Sequence, residues 1–301
     1  MMSTVSQASS KTGLRHRRSG RGVLCSGMAL LAACATNESK PSKSVGTEIA
    51  PVAVTLEPIR QDLEFKLEAG QPVHIDNPYG GVFLRFGGYE HQLGLHTTLQ
   101  QPAQAPVIRF EPRSIDGRFE IAPRLPEGDA LAAGQRFDLV AYIPQRHAVT
   151  VRTLAGSIES RGVQSDIALR SDSGDLAVRG NEGLVQAETG AGSIEAAFAG
   201  VATAGSRQRL ATTTGTIIVG VTDALAAEVR LATSAPFTTD YSLDVVHHGG
   251  AEPNKSAQAR IGKVDAAAPA LLELHSLRGD IRLLRRAVYI DVPVAPPAPS
   301  G

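Results

Sequence analysis

Two glutamates are the strongest candidates for acid–base chemistry in this sequence. Glu159 and Glu195 each stand three residues after a glycine in a repeated motif, and Ala177 occupies the same position in the repeat between them. If the repeats stack as strands, the two carboxylates lie about 10 Å apart, which is two strand spacings. Inverting glycosidases place their carboxylates about 6.5–9.5 Å apart. We therefore favour solvent-facing polar positions and predict no catalytic residue.

The histidines form no pattern typical of a metal site. His247 and His248 are adjacent, and adjacent side chains point to opposite sides of a strand. His91 and His96 stand five residues apart, without a third ligand at a spacing typical of metal sites. The chain also lacks a phosphate loop, a dinucleotide fingerprint and a Gly-x-Ser-x-Gly elbow. The sequence therefore predicts no metal and no cofactor.

One further column of the repeat carries charge. Arg152, Arg170 and Glu188 each stand four residues before the glycine of consecutive repeats. We expect these side chains to face outward, where exposed charges contribute little to stability. They are either ordinary solvent-facing positions or a binding surface for an anionic glycan.

Cys34 has the most specific chemistry in the chain. It follows a basic segment at 11–21 and a short apolar segment at 23–31, an order typical of a secretory signal. The apolar segment is too short to span a bilayer of about 30 Å as a helix. The signal predicts export, either with Cys34 as a chance cysteine or with Cys34 as a site of modification.

The residues before Cys34 favour modification. Leu31, Ala32, Ala33 and Cys34 resemble the lipidation and cleavage box of bacterial lipoproteins. That resemblance implies a diacylglyceryl group on the cysteine thiol, cleavage after residue 33, and attachment to the membrane through the lipid. Ala35 is not the aspartate of an inner-membrane retention signal, so the resemblance implies the outer membrane.

Removal of residues 1–33 changes the composition of the chain. The mature chain keeps 25 basic and 30 acidic residues, and this acidic balance argues against a nucleic-acid partner. Cys25 is lost with the signal, so Cys34 is the only cysteine left and no disulfide forms within the mature chain. We divide the remainder into a tether at 34–56, a body at 57–291 and a proline-rich tail at 292–301.

The body predicts an all-β fold built from a repeat. It has no convincing amphipathic helix, and short apolar runs alternate with polar residues and glycines. The repeat reads apolar-x-apolar-x-hydroxyl-x-x-Gly-x-apolar-x-apolar, and its glycines are Gly80, Gly156, Gly174, Gly192, Gly215 and Gly279. Three of them are 18 residues apart, and the next follows after 23.

This spacing predicts a solenoid. Alternate side chains of a strand face one side, so stacked repeats bury a continuous apolar core. We predict a parallel β-helix with coils of about 18–23 residues and a positive φ at each glycine corner. A β-sandwich is the alternative, but it does not predict a fixed 18-residue register.

Weaker copies extend the pattern in both directions. Gly117, with Phe119 and Ile121 after it, matches the second half of the repeat, and residues 136–143 supply a strand between Gly117 and Gly156. Pro236 occupies the glycine position of a degenerate copy. We therefore expect the solenoid to run through the whole body.

Several segments resemble one known family. The runs at 151–159, 187–195 and 274–282, together with 75–82 and 259–262, resemble the bacterial "putative adhesin" family of β-helix domains. The resemblance covers about residues 57–291 and implies a right-handed parallel β-helix in an exported protein. It brings no catalytic residues to this chain.

Together these patterns predict a non-enzymatic cell-envelope lipoprotein. Its β-solenoid presents a surface for adhesion or for interaction with an envelope protein or polysaccharide. Two alternatives stay open, namely a carbohydrate-active enzyme on the same scaffold and a component of envelope-stress signalling.

Overall fold

The computed structural model describes residues 57–286, and this part of the chain is built almost entirely from β-strands. The prediction of an all-β fold is confirmed. A single short 3-10 helix, Asp223–Leu225, is present among these residues. No helix within 57–286 is long and apolar enough to cross a membrane.

Twenty-one strands form two large sheets. In chain order they are β1 (Ile59–Lys66), β2 (Val73–Asn77), β3 (Val82–Phe86), β4 (Gln92–Gln100), β5 (Arg113–Ile115), β6 (Arg118–Ile121), β7 (Arg136–Ile143), β8 (Val149–Thr153), β9 (Ile158–Arg161), β10 (Ile167–Ser171), β11 (Leu176–Arg179), β12 (Val185–Thr189), β13 (Ile194–Phe198), β14 (Arg207–Thr212), β15 (Ile217–Val221), β16 (Ala227–Thr233), β17 (Phe237–Thr239), β18 (Asp244–His247), β19 (Lys255–Ile261), β20 (Ala270–Ser276) and β21 (Ile281–Arg285). Sheet A has the order β1-β4-β7-β3-β9-β11-β13-β15-β21-β17, and sheet B has the order β18-β19-β16-β20-β14-β12-β10-β8-β2-β6-β5.

The central strands pair in parallel with the register of the repeat. In sheet B, Ile167 lies opposite both Val149 and Val185. In sheet A, Leu176 lies opposite both Ile158 and Ile194. Each repeat therefore contributes one strand to each sheet, and successive repeats stack on each other with an offset of 18 residues.

The core lies between the two sheets. Along β8, β10 and β12 every second residue is buried, because alternate side chains of a strand face opposite sides. Val151, Ile194 and Leu210 are 0% exposed. Full burial of such a side chain stabilises a fold by about 1.5–3 kcal/mol, so the apolar columns of the repeat are the main source of stability.

The sheets are mixed because antiparallel strands are added at both ends. At one end β4 pairs antiparallel with β1 and β7, and β5 pairs antiparallel with β6. At the other end β19 pairs antiparallel with β16 and β18. The regular parallel stacking is therefore a feature of the middle of the described chain.

The strands at the ends also depart from chain order. The pair β2–β3 lies between β6–β7 and β8–β9, and the pair β20–β21 lies between β14–β15 and β16–β17. The last repeat in sequence thus fills a position inside the stack.

The prediction for Gly117 is wrong. Gly117 lies in the tight turn between β5 and β6 with a φ of 76°, and Phe119 pairs with Val73 of sheet B. The residues after Gly117 therefore form a first-half strand of the stack. The copy at Pro236 also differs, because Phe237 lies opposite Ile281 and its corner is one residue shorter than in the repeat.

The predicted positive φ at the repeat glycines is also wrong. None of Gly80, Gly156, Gly174, Gly192, Gly215 and Gly279 has a positive φ. A Cβ at Gly174 would overlap the carbonyl oxygen of Gly156, and a Cβ at Gly192 would overlap that of Gly174. Close approach between stacked corners therefore excludes a side chain there. Positive φ values occur instead after the sheet A strands, at Gly162 and Gly180.

Candidate functional site

Two arginines face each other on the outer side of sheet B. Arg152 of β8 lies directly opposite Arg170 of β10, and both side chains are exposed. Neither has a carboxylate at ion-pair distance within residues 57–286. Like charges directly opposite each other on neighbouring strands are destabilising. A guanidinium binds carboxylate or phosphate oxygens through two parallel hydrogen bonds, so this pair is suited to an anion.

The charged column continues across sheet B. Glu188 of β12 lies opposite Arg170, as the repeat predicts, and its Oε1 is 3.5 Å from Nε of Arg209. A surface cavity of about 410 Å³ is lined by Arg170, Glu188, Arg209 and His275, among others. Burial lowers the pKa of His275, and the neighbouring positive charge of Arg209 lowers it further. The arginines therefore carry the positive charge of this surface near neutral pH.

A hydroxyl column holds the corner beside the two arginines. Ser171 Oγ accepts a hydrogen bond from the backbone N–H of Gly174 at 2.8 Å. The Oγ1 of Thr189 accepts from Gly192 N–H at 3.2 Å and donates to the carbonyl of Gly174 at 2.9 Å. Each hydroxyl thus joins its own corner to the corner of the neighbouring repeat.

The same arrangement recurs at Thr212, which contacts Gly215 N–H and Gly192 O, and at Ser276, which contacts Gly279 N–H and Gly215 O. Arg170 directly precedes Ser171 in the chain, so its backbone is fixed by this network.

A second arginine column lies on sheet A. Arg161 of β9 lies opposite both Arg85 of β3 and Arg179 of β11. Sequence reasoning missed this column, although it stands five residues after the repeat glycines and the same alignment reveals it. Arg85 and Arg179 bind glutamates at 3.0 and 3.2 Å, so much of the charge of this column is neutralised.

Those glutamates are the carboxylates considered for acid–base chemistry. Glu159 and Glu195 lie on either side of Ala177, in the column expected from the repeat. Glu159 pairs with Arg85, and Glu195 pairs with both Arg179 and Arg286. Each carboxylate therefore has its own arginine partner, which favours a role in surface ion pairs.

His91 and His147 form a contact that the sequence did not indicate. His147 is 0% exposed; its Nδ1 lies 2.8 Å from the carbonyl oxygen of Gln71, and its Nε2 lies 2.8 Å from Nδ1 of His91. Because a carbonyl oxygen only accepts, His147 Nδ1 carries a proton, and in the neutral imidazole Nε2 is then the acceptor of the bond with His91 Nδ1. This geometry links two loops at the β1–β4 end of the described chain.

The other histidines are separate from this pair. His96 contacts Asp62, and His248 contacts Ser256. Within residues 57–286 the structure contains no group of three or more His, Cys, Asp or Glu side chains that could hold a metal ion. Cys34 and the box at 31–33 lie outside the described residues, as do the tether and residues 287–301.

Comparison with known proteins identifies no matching family model and no matching curated protein. Six solved protein chains match this chain, and they include two bacterial proteins. One is described as a "putative cell adhesion protein" from Clostridium sporogenes, with 11% identity, a TM-score of 0.42, and 76% of this chain and 100% of that chain covered. The other is described as a "putative adhesin" from Bacteroides fragilis, with 10% identity, a TM-score of 0.38, and coverage of 76% and 97%.

Proposed function

We propose that this protein is a non-enzymatic cell-envelope lipoprotein whose β-solenoid binds an anionic polysaccharide. In this proposal Cys34 carries the lipid that attaches the chain to the outer membrane. The tether then separates the lipid from a right-handed parallel β-helix. The central part of that helix consists of the parallel strands in the middle of sheets A and B. The observation that carries the proposal is the opposed pair Arg152 and Arg170.

The arginine pair is suited to a repeating anionic ligand. Neighbouring strands are about 4.8 Å apart, so the two guanidinium groups on the adjacent strands β8 and β10 can each bind one anionic group of a polymer. Both side chains are exposed, and neither forms an ion pair within the described residues. Asp76 lies opposite Arg152 and Glu188 lies opposite Arg170, but these carboxylates bind Arg124 and Arg209 instead. A bound anion would offset the repulsion between Arg152 and Arg170.

Rigidity supports the same interpretation. Ser171 and Thr189 tie each corner to the next through hydrogen bonds of 2.8–3.3 Å. The spacing of the arginine pair is therefore set by the fold, and a preorganised site loses less entropy on binding. The ion pairs of Glu159 and Glu195 favour binding over glycoside cleavage on this scaffold.

Dextran sulfate and uncharged dextran test the proposal, because they share one backbone and differ in charge. We expect the acylated protein in detergent to bind dextran sulfate and to ignore dextran in a biolayer assay. The double variant Arg152→Gln/Arg170→Gln should weaken the Kd at least about tenfold, which corresponds to about 1.4 kcal/mol.

The control removes the same charge elsewhere. Arg118 and Arg282 are exposed and lie near carboxylates, Arg118 on β6 and Arg282 on β21, so Arg118→Gln/Arg282→Gln should change the Kd less than about twofold. Equal losses in the two double variants, or no binding by the unmodified protein, would show that the arginine pair is not a polyanion site.

A further inference from the structure

The repeat from Gly192 to Gly215 has 23 residues instead of 18. The corner at which this repeat passes from β13 of sheet A to β14 of sheet B is enlarged. Between β11 and β12 the chain turns through residues 180–184, whereas between β13 and β14 it turns through residues 199–206. The register on either side is unchanged, because Ala197 pairs with Arg179 and Arg209 pairs with Gln186. Counted between these register positions, Arg179 to Gln186 is a step of 7 residues and Ala197 to Arg209 is a step of 12. This one corner therefore accommodates five additional residues and departs from the regular stack.

A cavity lies at this corner. It has a volume of about 600 Å³ and is lined by the enlarged loop, the regular corner at 180–184 and Leu225. This volume lies within the range of about 300–1,000 Å³ that is usual for small-molecule sites. None of its lining residues is basic, and Asp166 and Glu182 supply acidic groups. An anionic ligand is therefore disfavoured here.

Three side chains that line the cavity hold buried polar atoms without a protein partner. These atoms are Nδ2 of Asn181, Oγ of Ser206 and Oε1 of Gln208. The other end of the Asn181 amide is bound, because its Oδ1 accepts a hydrogen bond from Ser160 at 2.9 Å. Leaving such an atom unpaired costs about 1–3 kcal/mol, so three in one cavity wall call for an explanation.

Gln208 is also an exception in the sequence repeat. The register places it in the inward column of Val185 and Leu272, where the other repeats have apolar residues. An apolar side chain would fill this position without an unpaired acceptor. The polar residue therefore reduces stability at the point where it lines the cavity.

We infer that this cavity is a binding site for a neutral saccharide unit. A sugar hydroxyl both donates and accepts hydrogen bonds, so one ring can serve an amide N–H, a hydroxyl and an amide oxygen. In this proposal Ser206 and Gln208 rotate about their side-chain bonds when the ligand binds, which turns their buried polar atoms toward it. Leu184, which also lines the cavity and is exposed, offers apolar surface for the C–H face of the ring.

This site is distinct from the polyanion surface. Its lining shares no residue with the arginine pair or with the 410 Å³ cavity beside Arg170. The ligand it favours is neutral, whereas the arginine pair favours an anion. The two proposals can therefore fail separately.

Substitution of Gln208 tests the inference through two opposite effects. Gln208→Leu removes the unpaired acceptor, so it should raise the melting temperature by about 2–4 °C, as about 1 kcal/mol does in a domain of this size. The same change should reduce binding at least about tenfold. The probes are maltose, lactose and chitobiose, followed by saturation-transfer NMR and calorimetry on the full chain in detergent.

Gln186→Leu is the matched control, because Gln186 lies on β12 with its side chain exposed and outside the cavity lining. It should leave saccharide binding unchanged. The inference is wrong if Gln208→Leu lowers the melting temperature or if none of the three probes binds in the millimolar range. It is also wrong if crystals soaked in the probes show only ordered water at the three polar atoms.

Discussion

At the scale of single residues, the repeat glycines record how closely stacked corners approach. The carbonyl of each corner occupies the space in which the next glycine would carry a Cβ, and this holds from Gly156 to Gly279. From Gly174 to Gly279 the hydroxyl three residues earlier accepts a hydrogen bond from the N–H of the same glycine. Hydroxyl and glycine therefore act together at each corner.

Gly174→Ala tests this account of the corner. The added methyl group meets the backbone carbonyl of Gly156, and a backbone contact cannot be relieved by rotating a side chain. We expect a loss of about 1–3 kcal/mol in the free energy of unfolding, typical of overpacking, measured by urea denaturation. Gly249→Ala is the control, since a Cβ there meets nothing within 4 Å. Equal effects of the two substitutions would contradict the close-approach explanation.

Residue types alone predicted some of these features and not others. The sequence placed Arg152 and Arg170 in one outward column because the repeat sets their register. It did not indicate the reason for the glycines, because a corner glycine is compatible with either a positive φ or a close approach. His91 and His147 are 56 residues apart in sequence. Their contact follows from tertiary packing, so no local sequence pattern predicts it.

At the scale of elements, register was the most predictable property of the fold. The columns read from the sequence pair directly in both sheets, for example Leu210 with Ala187 and Leu274. Apolar alternation determines which face of a strand is buried, and a shift by one residue would expose the entire set. Register is therefore encoded locally.

The order of strands at the ends was not predictable in the same way. The pair β20–β21 lies between β14–β15 and β16–β17, although its sequence fits the repeat as well as its neighbours do. Identical columns suit any position in the stack, so the pattern does not specify which repeat lies next to which. Antiparallel strands such as β19 have the same alternation as parallel ones, which left the mixed sheets unforeseen.

Ile194→Asp tests the buried column at the scale of one strand. Ile194 is 0% exposed in β13 and pairs with Leu176 and Ile217, so the substitution buries a carboxylate without a partner. We expect destabilisation above about 3 kcal/mol, seen as a lower melting temperature and faster amide exchange in β11, β13 and β15. Ala197→Asp on the same strand faces outward opposite Arg179 and should leave stability nearly unchanged. Similar melting temperatures for the two variants would show that the column is not buried.

At the scale of the whole molecule, the two proposed binding sites lie on a chain that is acidic once residues 1–33 are removed. A net negative body is repelled by an anionic polymer at long range, and this repulsion is screened beyond about 8 Å at physiological salt. Local arginine pairs can therefore hold a polyanion only at short range. Attachment through the lipid would keep the protein near an envelope polymer, which raises the effective concentration of a weak site.

Cys34 is the residue on which this whole-molecule proposal depends. If its thiol carries the diacylglyceryl group, Cys34→Ser should abolish labelling by a fatty-acid probe and should release the protein from the membrane fraction, because no other cysteine remains in the mature chain. A diacylglyceryl group supplies two acyl chains and anchors stably, so its loss should make release nearly complete. Cys25→Ser, which changes the cysteine inside the signal, should keep both labelling and membrane association. Unchanged fractionation of Cys34→Ser would mean that the chain reaches the membrane by another route, and loss in both variants would point to a defect in export instead of lipidation.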